Sequence, residues 1–152
     1  MKKSINVVWI KRDIRTQDHE PFDLAEKNKR DYINIYLFEP SIINHPDCSL
    51  RHLQFVYQSI KETNKKLSKY NKEIHVFHQE AELVFEFLCN LYTIKNVFSY
   101  QETGIRKTWN RDKKLSLFFK IEKINWKQVQ KDGIQRGIKT RKNWDQKWYH
   151  VM

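Results

Sequence analysis

Glycine and proline are scarce in this sequence, with three of each in 152 residues, and cysteine is scarcer still, with two. The shortage of Gly and Pro leaves no flexible linker or low-complexity stretch, and no solenoid-length repeat runs through the chain. One compact domain is expected. Cys48 and Cys89 belong to no paired motif, which excludes a disulfide framework and suits a reducing, cytoplasmic setting. Long apolar runs are missing as well. Behind the basic start Met1-Lys2-Lys3-Ser4, the apolar run Val7–Ile10 meets Lys11 and Arg12 too soon for a signal peptide, and no other run can span a bilayer. Between Lys11 and Arg15 there is no Gly, and no Walker-type lysine loop occurs, so the ordinary dinucleotide and P-loop readings fail. No Gly-x-Ser-x-Gly elbow supports a hydrolase. His75 and His78 would face opposite sides of a strand, and His45 with Cys48 lacks two further ligands, so no zinc site is expected.

What is present is enough to build a core, with 39% hydrophobic and 14% aromatic residues. The formal net charge of +11 is unevenly placed. Residues 1–102 carry 15 Lys/Arg against 14 Asp/Glu, a net of +1, and residues 103–152 carry 14 against 4, a net of +10. Such asymmetry points to a polyanion or an acidic partner, and equally to a solvated face.

The stretch from Asn6 to Pro21 organises the rest. Val7, Val8, Trp9 and Ile10 form the continuous apolar run of a strand covered on both faces, as in the middle of a parallel sheet. Further along, Glu20–Lys29 is expected to be a helix with Pro21 in its first turn, and Tyr32–Phe38 a second strand. Ser41–Ser49 reads as a loop. Ser49 then caps a long helix with Leu53, Val56, Tyr57, Ile60 and Leu67 on its apolar face. Ile74–His78 is a third strand, and Ala81–Leu91 a helix with Leu83, Val84, Phe87, Leu88 and Leu91 buried. Asn96–Tyr100, Asn110–Ile121 and Ile124–Val129 supply a fourth strand, a fourth helix and a fifth strand. This alternation predicts an α/β fold: a three-layer, Rossmann-like, five-stranded parallel sheet with helices on both faces.

In such folds ligands sit outside the carboxyl ends of the strands. That edge collects Arg12, Asp13 and Arg15, then Phe38 and Glu39, then Tyr100, Gln101 and Glu102. Rings beside charges suit a planar polar ligand, and the same residues also make a salt-bridged rim in which Asp13 pairs with Arg12 or Arg15. In the tail, Arg136, Lys139, Arg141, Lys142 and Lys147 interleave with Trp144, Trp148 and Tyr149, a composition that can grip nucleic acid. Trp144, Trp148 and Met152 also fall on one helix face, the pattern of a packing stripe.

The opening resembles that of the DNA photolyase and cryptochrome family: Trp9, Lys11-Arg12, Asp13-Ile14-Arg15, Asp18-His19 and Pro21, with Lys for Arg, Ile for Leu and His for Asn. Ser49-Leu50-Arg51 with the following helix, Glu102-Thr103-Gly104, Arg111-Asp112 and the Trp-bearing tail resemble later parts of the same domain. The resemblance implies an N-terminal α/β domain over 1–129 that holds an antenna chromophore of folate, deazaflavin or flavin type, with Arg12, Leu37, Phe38, Glu39 and Glu102 at the pocket. Segment 130–152 would then lead toward a helical FAD domain, in cis or in trans, which this chain does not contain. Light-dependent DNA repair or blue-light sensing would belong to the pair, with no catalytic residue here and only weak DNA contact through this domain. The alternative is a nucleic-acid-binding or nucleotide-binding α/β module without a light function.

Overall fold

The computed structural model describes residues 1–134 and 139–151. Arg136 and Met152 of the tail pattern lie outside the described residues. The elements are β1 (Lys3–Ile10), α1 (Glu20–Lys27), β2 (Tyr32–Leu37), α2 (Pro40–Ile43), α3 (Leu50–Leu67), β3 (Ile74–Phe77), α4 (Ala81–Leu91), β4 (Tyr92–Tyr100), α5 (Arg106–Ile121), β5 (Asn125–Val129) and α6 (Trp144–Val151). The five strands form one sheet in the order β3-β2-β1-β4-β5, all pairs parallel. The expected α/β architecture is present. Strand order reverses between β1 and β4, which makes their carboxyl ends the topological switch point.

Alternation along β1 divides the core. Val7 and Trp9 face a layer built by α4 and α5 through Val84, Phe85, Leu88, Leu115 and Phe119. Val8 and Ile10 face α1 and α3 through Ala25, Ile60 and Leu67. Every residue of β1 from Ile5 to Ile10 is buried, as its unbroken apolar run requires.

Several details depart from the sequence reading. The segment after β2 is not wholly loop: Pro40 starts the short helix α2, held by the Glu80 carboxylate, which accepts from the Ser41 amide at 2.7 Å and hydroxyl at 2.9 Å. Tyr57 is 62% exposed, because α3 buries Ile60, Thr63 and Leu67 instead. On α4, Leu83, Phe87 and Leu91 are about half exposed, and Phe85 takes the core position, edge-on to Trp9 at 5.3 Å and to Phe119 at 4.8 Å. β4 begins at Tyr92, immediately after α4. A bulge at Lys95 hides its start, since Ile5 pairs with Ile94 while Asn6 pairs with Asn96.

Three strand asparagines lie side by side across the sheet. Asn125 donates to Asn96 at 3.0 Å, Asn96 to Asn6 at 2.8 Å, and Asn6 to Asn28, the C-cap of α1, at 2.9 Å. Each amide therefore satisfies the next inside the sheet.

Candidate ligand site at the carboxyl edge of the sheet

The loop leaving β1 is fixed from within. Asp13 is buried; one oxygen accepts from the Lys11 amide at 3.1 Å and the other meets His19 Nε2 at 2.6 Å. His19 Nδ1 in turn accepts from the Phe22 amide at 3.2 Å, so the imidazole is the N-cap of α1 and its Nε2–H donates to Asp13. Tyr100 completes the lock, its ring 5.3 Å from His19 and its hydroxyl accepting from the Glu20 amide at 3.1 Å. Asp13 thus pairs with His19 and not with an arginine. Arg15 donates to the Asp18 carbonyl, and Arg12 reaches Glu102 at 3.4 Å.

Behind this loop, three cations interlock with three carboxylates. Arg111, on α5, meets Glu39 at 2.5 Å, Glu102 at 3.3 Å and Asp112 at 2.8 Å. Asp112 also pairs with Lys11 at 3.0 Å. The wall is aromatic: Lys11 Nζ lies 4.3 Å from the Trp9 ring centre and Arg111 Cζ 4.8 Å, cation–π positions on a ring that also stacks on Trp126. Gly104 lets the Arg12 head and the Glu102 carboxylate come close to the backbone. A Cβ on it would come within 1.9 Å of the Arg12 guanidinium and 2.6 Å of the Glu102 carboxylate, which accepts from the Gly104 amide at 2.7 Å.

Burial sets the electrostatics. It pushes the Lys11 ammonium down, with Asp112 opposing, and pushes the Glu39 carboxyl up, with Arg111 opposing. Burial also works against the Arg111 charge, but Glu39 and Asp112 outweigh it and hold its pKa above the usual value. Glu39 Oε1 is buried with no hydrogen-bond partner among the described residues.

The crevice between the β1 and β4 loops, lined by Arg12, Glu102 and Lys131, is filled by these side chains and leaves about 10 Å³. Space opens one strand over. A cavity of about 440 Å³ lies between the β1 loop, Tyr36 of β2 and the first half of α3, and includes Arg12, Arg15, His52, Phe55 and Val56 in its lining. Arg12 borders both spaces and is 56% exposed at its side chain. Phe38 packs edge-on against Tyr36 at 5.1 Å, and Leu37 points to the other face of the sheet, into the α4/α5 layer. Glu39 and Glu102 stand behind, on Arg111. The edge residues named from sequence thus gather at one end of the sheet, while Tyr36, His52 and Phe55 of the cavity wall were not among them. Tyr36 and Phe55 had a usable signal, being aromatics beside the predicted strand end and on the predicted helix.

The tail begins at this edge and closes on itself. Thr103 donates to Asp132 at 3.3 Å, and Gly133 lies so close to Trp148 that a Cβ would fall 2.0 Å from the ring. Trp148 contacts Trp144 at 5.3 Å within α6. Among the described residues no helix is long and apolar enough to cross a membrane.

Residues 6–151 match the model of the DNA photolyase family. The chain belongs to that family. Among curated photolyase-family relatives, it is 25% identical over 110 residues to the deoxyribodipyrimidine photo-lyase of Buchnera aphidicola, covering 68% of this chain and 23% of that protein. It is 21% identical over 107 residues to the cryptochrome DASH of Solanum lycopersicum, covering 66% of this chain and 18% of that protein. The chain therefore spans about a quarter or less of these curated relatives. In fold it is similar to the Sulfolobus tokodaii photolyase that carries two FAD molecules, with a TM-score of 0.77 at 21% identity over 97% of this chain and 35% of that one. The part shared with these photolyases is their N-terminal α/β domain, which is distinct from the catalytic FAD domain.

Proposed function

We propose that this domain is the antenna module of a photolyase or cryptochrome-like flavoprotein and holds a light-harvesting chromophore in the cavity over the ends of β1 and β2. The observation that carries the reading is the 440 Å³ space bounded by Arg12 and Arg15 on one side and by Tyr36 and Phe55 on the other. That volume is in the range of small-molecule sites, and its rings and cations fit a planar, anionic molecule of folate, deazaflavin or flavin type. The exposed Arg12 head and the 70% exposed Phe55 leave contact surface for it. When bound, the chromophore supplies absorption and passes excitation to FAD in a helical partner domain, joined in cis or in trans. The Sulfolobus photolyase, similar in fold, carries two FAD molecules with a light-harvesting cofactor implied, which supports an antenna role for this domain.

The residues of the chain do the holding. Arg12 pairs with the anionic group of the ligand, Phe38 braces the Tyr36 ring from behind, and Leu37 anchors the end of β2 from the opposite face of the sheet. Glu39 and Glu102 orient Arg111 and Arg12 and so fix the shape of the rim. Repair of DNA or sensing of blue light belongs to the whole flavoprotein.

The test is titration of methenyl-folate, a deazaflavin and FMN into the wild-type chain and an Arg12→Ala/Phe38→Ala variant. Binding that weakens at least about tenfold in the variant supports the site. Binding with unchanged affinity places the chromophore elsewhere.

A further inference from the structure

α3 carries the chromophore cavity at its first half and a second, larger cavity at its last. This groove, about 600 Å³, runs between α1 and the corner where α3 ends, bordered by Phe22, Asp23 and Glu26 of α1, Tyr32 at the start of β2, and Lys66, Lys69, Tyr70 and Lys72. Tyr32 and the end of α3 place one end of it at the amino edge of the sheet, and Thr16 and Gln17 of the β1 loop close the other.

Its chemistry is already arranged. Lys72 Nζ sits 3.7 Å over the Tyr32 ring, and the Tyr32 hydroxyl donates to Glu26 at 2.5 Å, so ring and ammonium are held together as one wall. Tyr70 is 73% exposed at the opposite lip. None of the three lysines forms an ion pair with a carboxylate among the described residues, whereas neighbouring Lys65 is bound to Glu62 at 2.7 Å. The end of a helix normally presents carbonyls that repel anions, but here several are occupied. The Ser68 amide donates to Asn64, the Asn71 amide to Ser68 and the Lys72 amide to Leu67, with Asn71 in the left-handed conformation that allows the turn. The groove therefore sets three lysine heads on its α3 side against the Asp23 and Glu26 carboxylates of the α1 wall.

We infer that this groove binds a nucleotide unit, its base against Tyr70 and Phe22 and its phosphate on Lys66 and Lys69. The Asp23 carboxylate on the α1 wall is placed to accept from sugar hydroxyls or exocyclic amines. Free mononucleotide and a nucleotide within a single strand present the same chemistry. Lys66, Lys69 and Lys72 lie within seven residues of one another, but the even balance of 15 against 14 charges over residues 1–102 masks them, and the facing wall of Phe22, Asp23 and Glu26 comes only when the α3 corner folds against α1.

Calorimetric titration of the full chain with AMP, CMP, adenosine, inorganic phosphate and a dT octamer tests it, in wild type, Lys69→Ala/Tyr70→Ala and Lys147→Ala. Both altered surfaces are exposed, and Lys147→Ala removes the same charge from α6. Mononucleotides are expected to bind more tightly than adenosine or phosphate alone and to lose about tenfold or more in the double variant, with less than about twofold change in Lys147→Ala. Tighter binding of the octamer with the same dependence on Lys69 and Tyr70 assigns the groove to single strands, and octamer binding no tighter than AMP assigns it to free nucleotides. Absence of binding at millimolar nucleotide, an unaffected double variant, or an equal loss in Lys147→Ala overturns the inference.

Discussion

Replacing Arg111 with Met tests whether the buried charge cluster is held by that one guanidinium. The Arg111 side chain is 12% exposed and its partner Glu39 3%, so the substitution strands a carboxylate in the interior, one oxygen of which already has no partner among the described residues. Removing one member of a buried pair costs about 3–5 kcal/mol, and the lost cation over Trp9 adds a smaller amount. We expect a loss of about 3 kcal/mol or more in urea denaturation followed by tryptophan fluorescence, a large share of the stability of a domain this size. The loss should depend on pH. Burial raises the Glu39 pKa above its ordinary 4.5, and without Arg111 nothing comparable opposes it. The folded variant then keeps a proton that the unfolded chain releases, so its stability falls as pH rises above 4.5 and the gap to wild type narrows as pH falls toward that value. Adding Glu39→Gln removes the stranded charge and should recover at least half of the loss. A cost under about 1 kcal/mol, the size of a surface pair, or no recovery in the double variant would refute the account.

Burial, together with the negative charges of Glu39 and Asp13, pushes the Tyr36 phenol up to about 12, so the folded chain holds a proton that the unfolded chain releases near 10.0. Stability should therefore fall from pH 10 toward 12, and Tyr36→Phe should flatten that fall in denaturant melts; an unchanged slope would count against the shift. The chain should bind duplex DNA weakly and without sequence preference, losing roughly a thousandfold in affinity between about 50 and 200 mM salt in an anisotropy titration. Salt-resistant binding would point to a dedicated duplex-binding surface instead.

The strands were readable because β1 ends in the unbroken apolar run Val7–Ile10 and because Tyr32–Leu37 keeps its ring side and aliphatic side apart. The faces of α4 were less so. Ala81, Leu83, Val84, Phe85, Phe87, Leu88 and Leu91 make that helix apolar nearly all round, so periodicity alone does not choose a side; contact of Phe85 with Trp9 and Phe119 does. On α3 the buried Thr63 interrupts the stripe that Ile60 and Leu67 continue. At the edge, Arg12 and Glu102 stood out by position, whereas the role of Arg111 depends on Glu39, 72 residues earlier, and no local pattern records that separation. His19, noted as a substitution for Asn, is a helix cap whose other nitrogen holds Asp13, a pairing visible only once the loop closes.

The row of asparagines has a consequence for how the chain is completed during synthesis. β1 and α1 emerge first, and Asn6 can then give its amide to Asn28 while its carbonyl oxygen waits for β4, ninety residues later. Asn96 in turn waits for Asn125. Each arrival completes one more amide bond, and it does so only in the register that sets the three side chains abreast. The nascent half-sheet thus carries an open socket specific for the strand that has yet to leave the ribosome, and a strand that docks one residue out of step finds the socket unfilled.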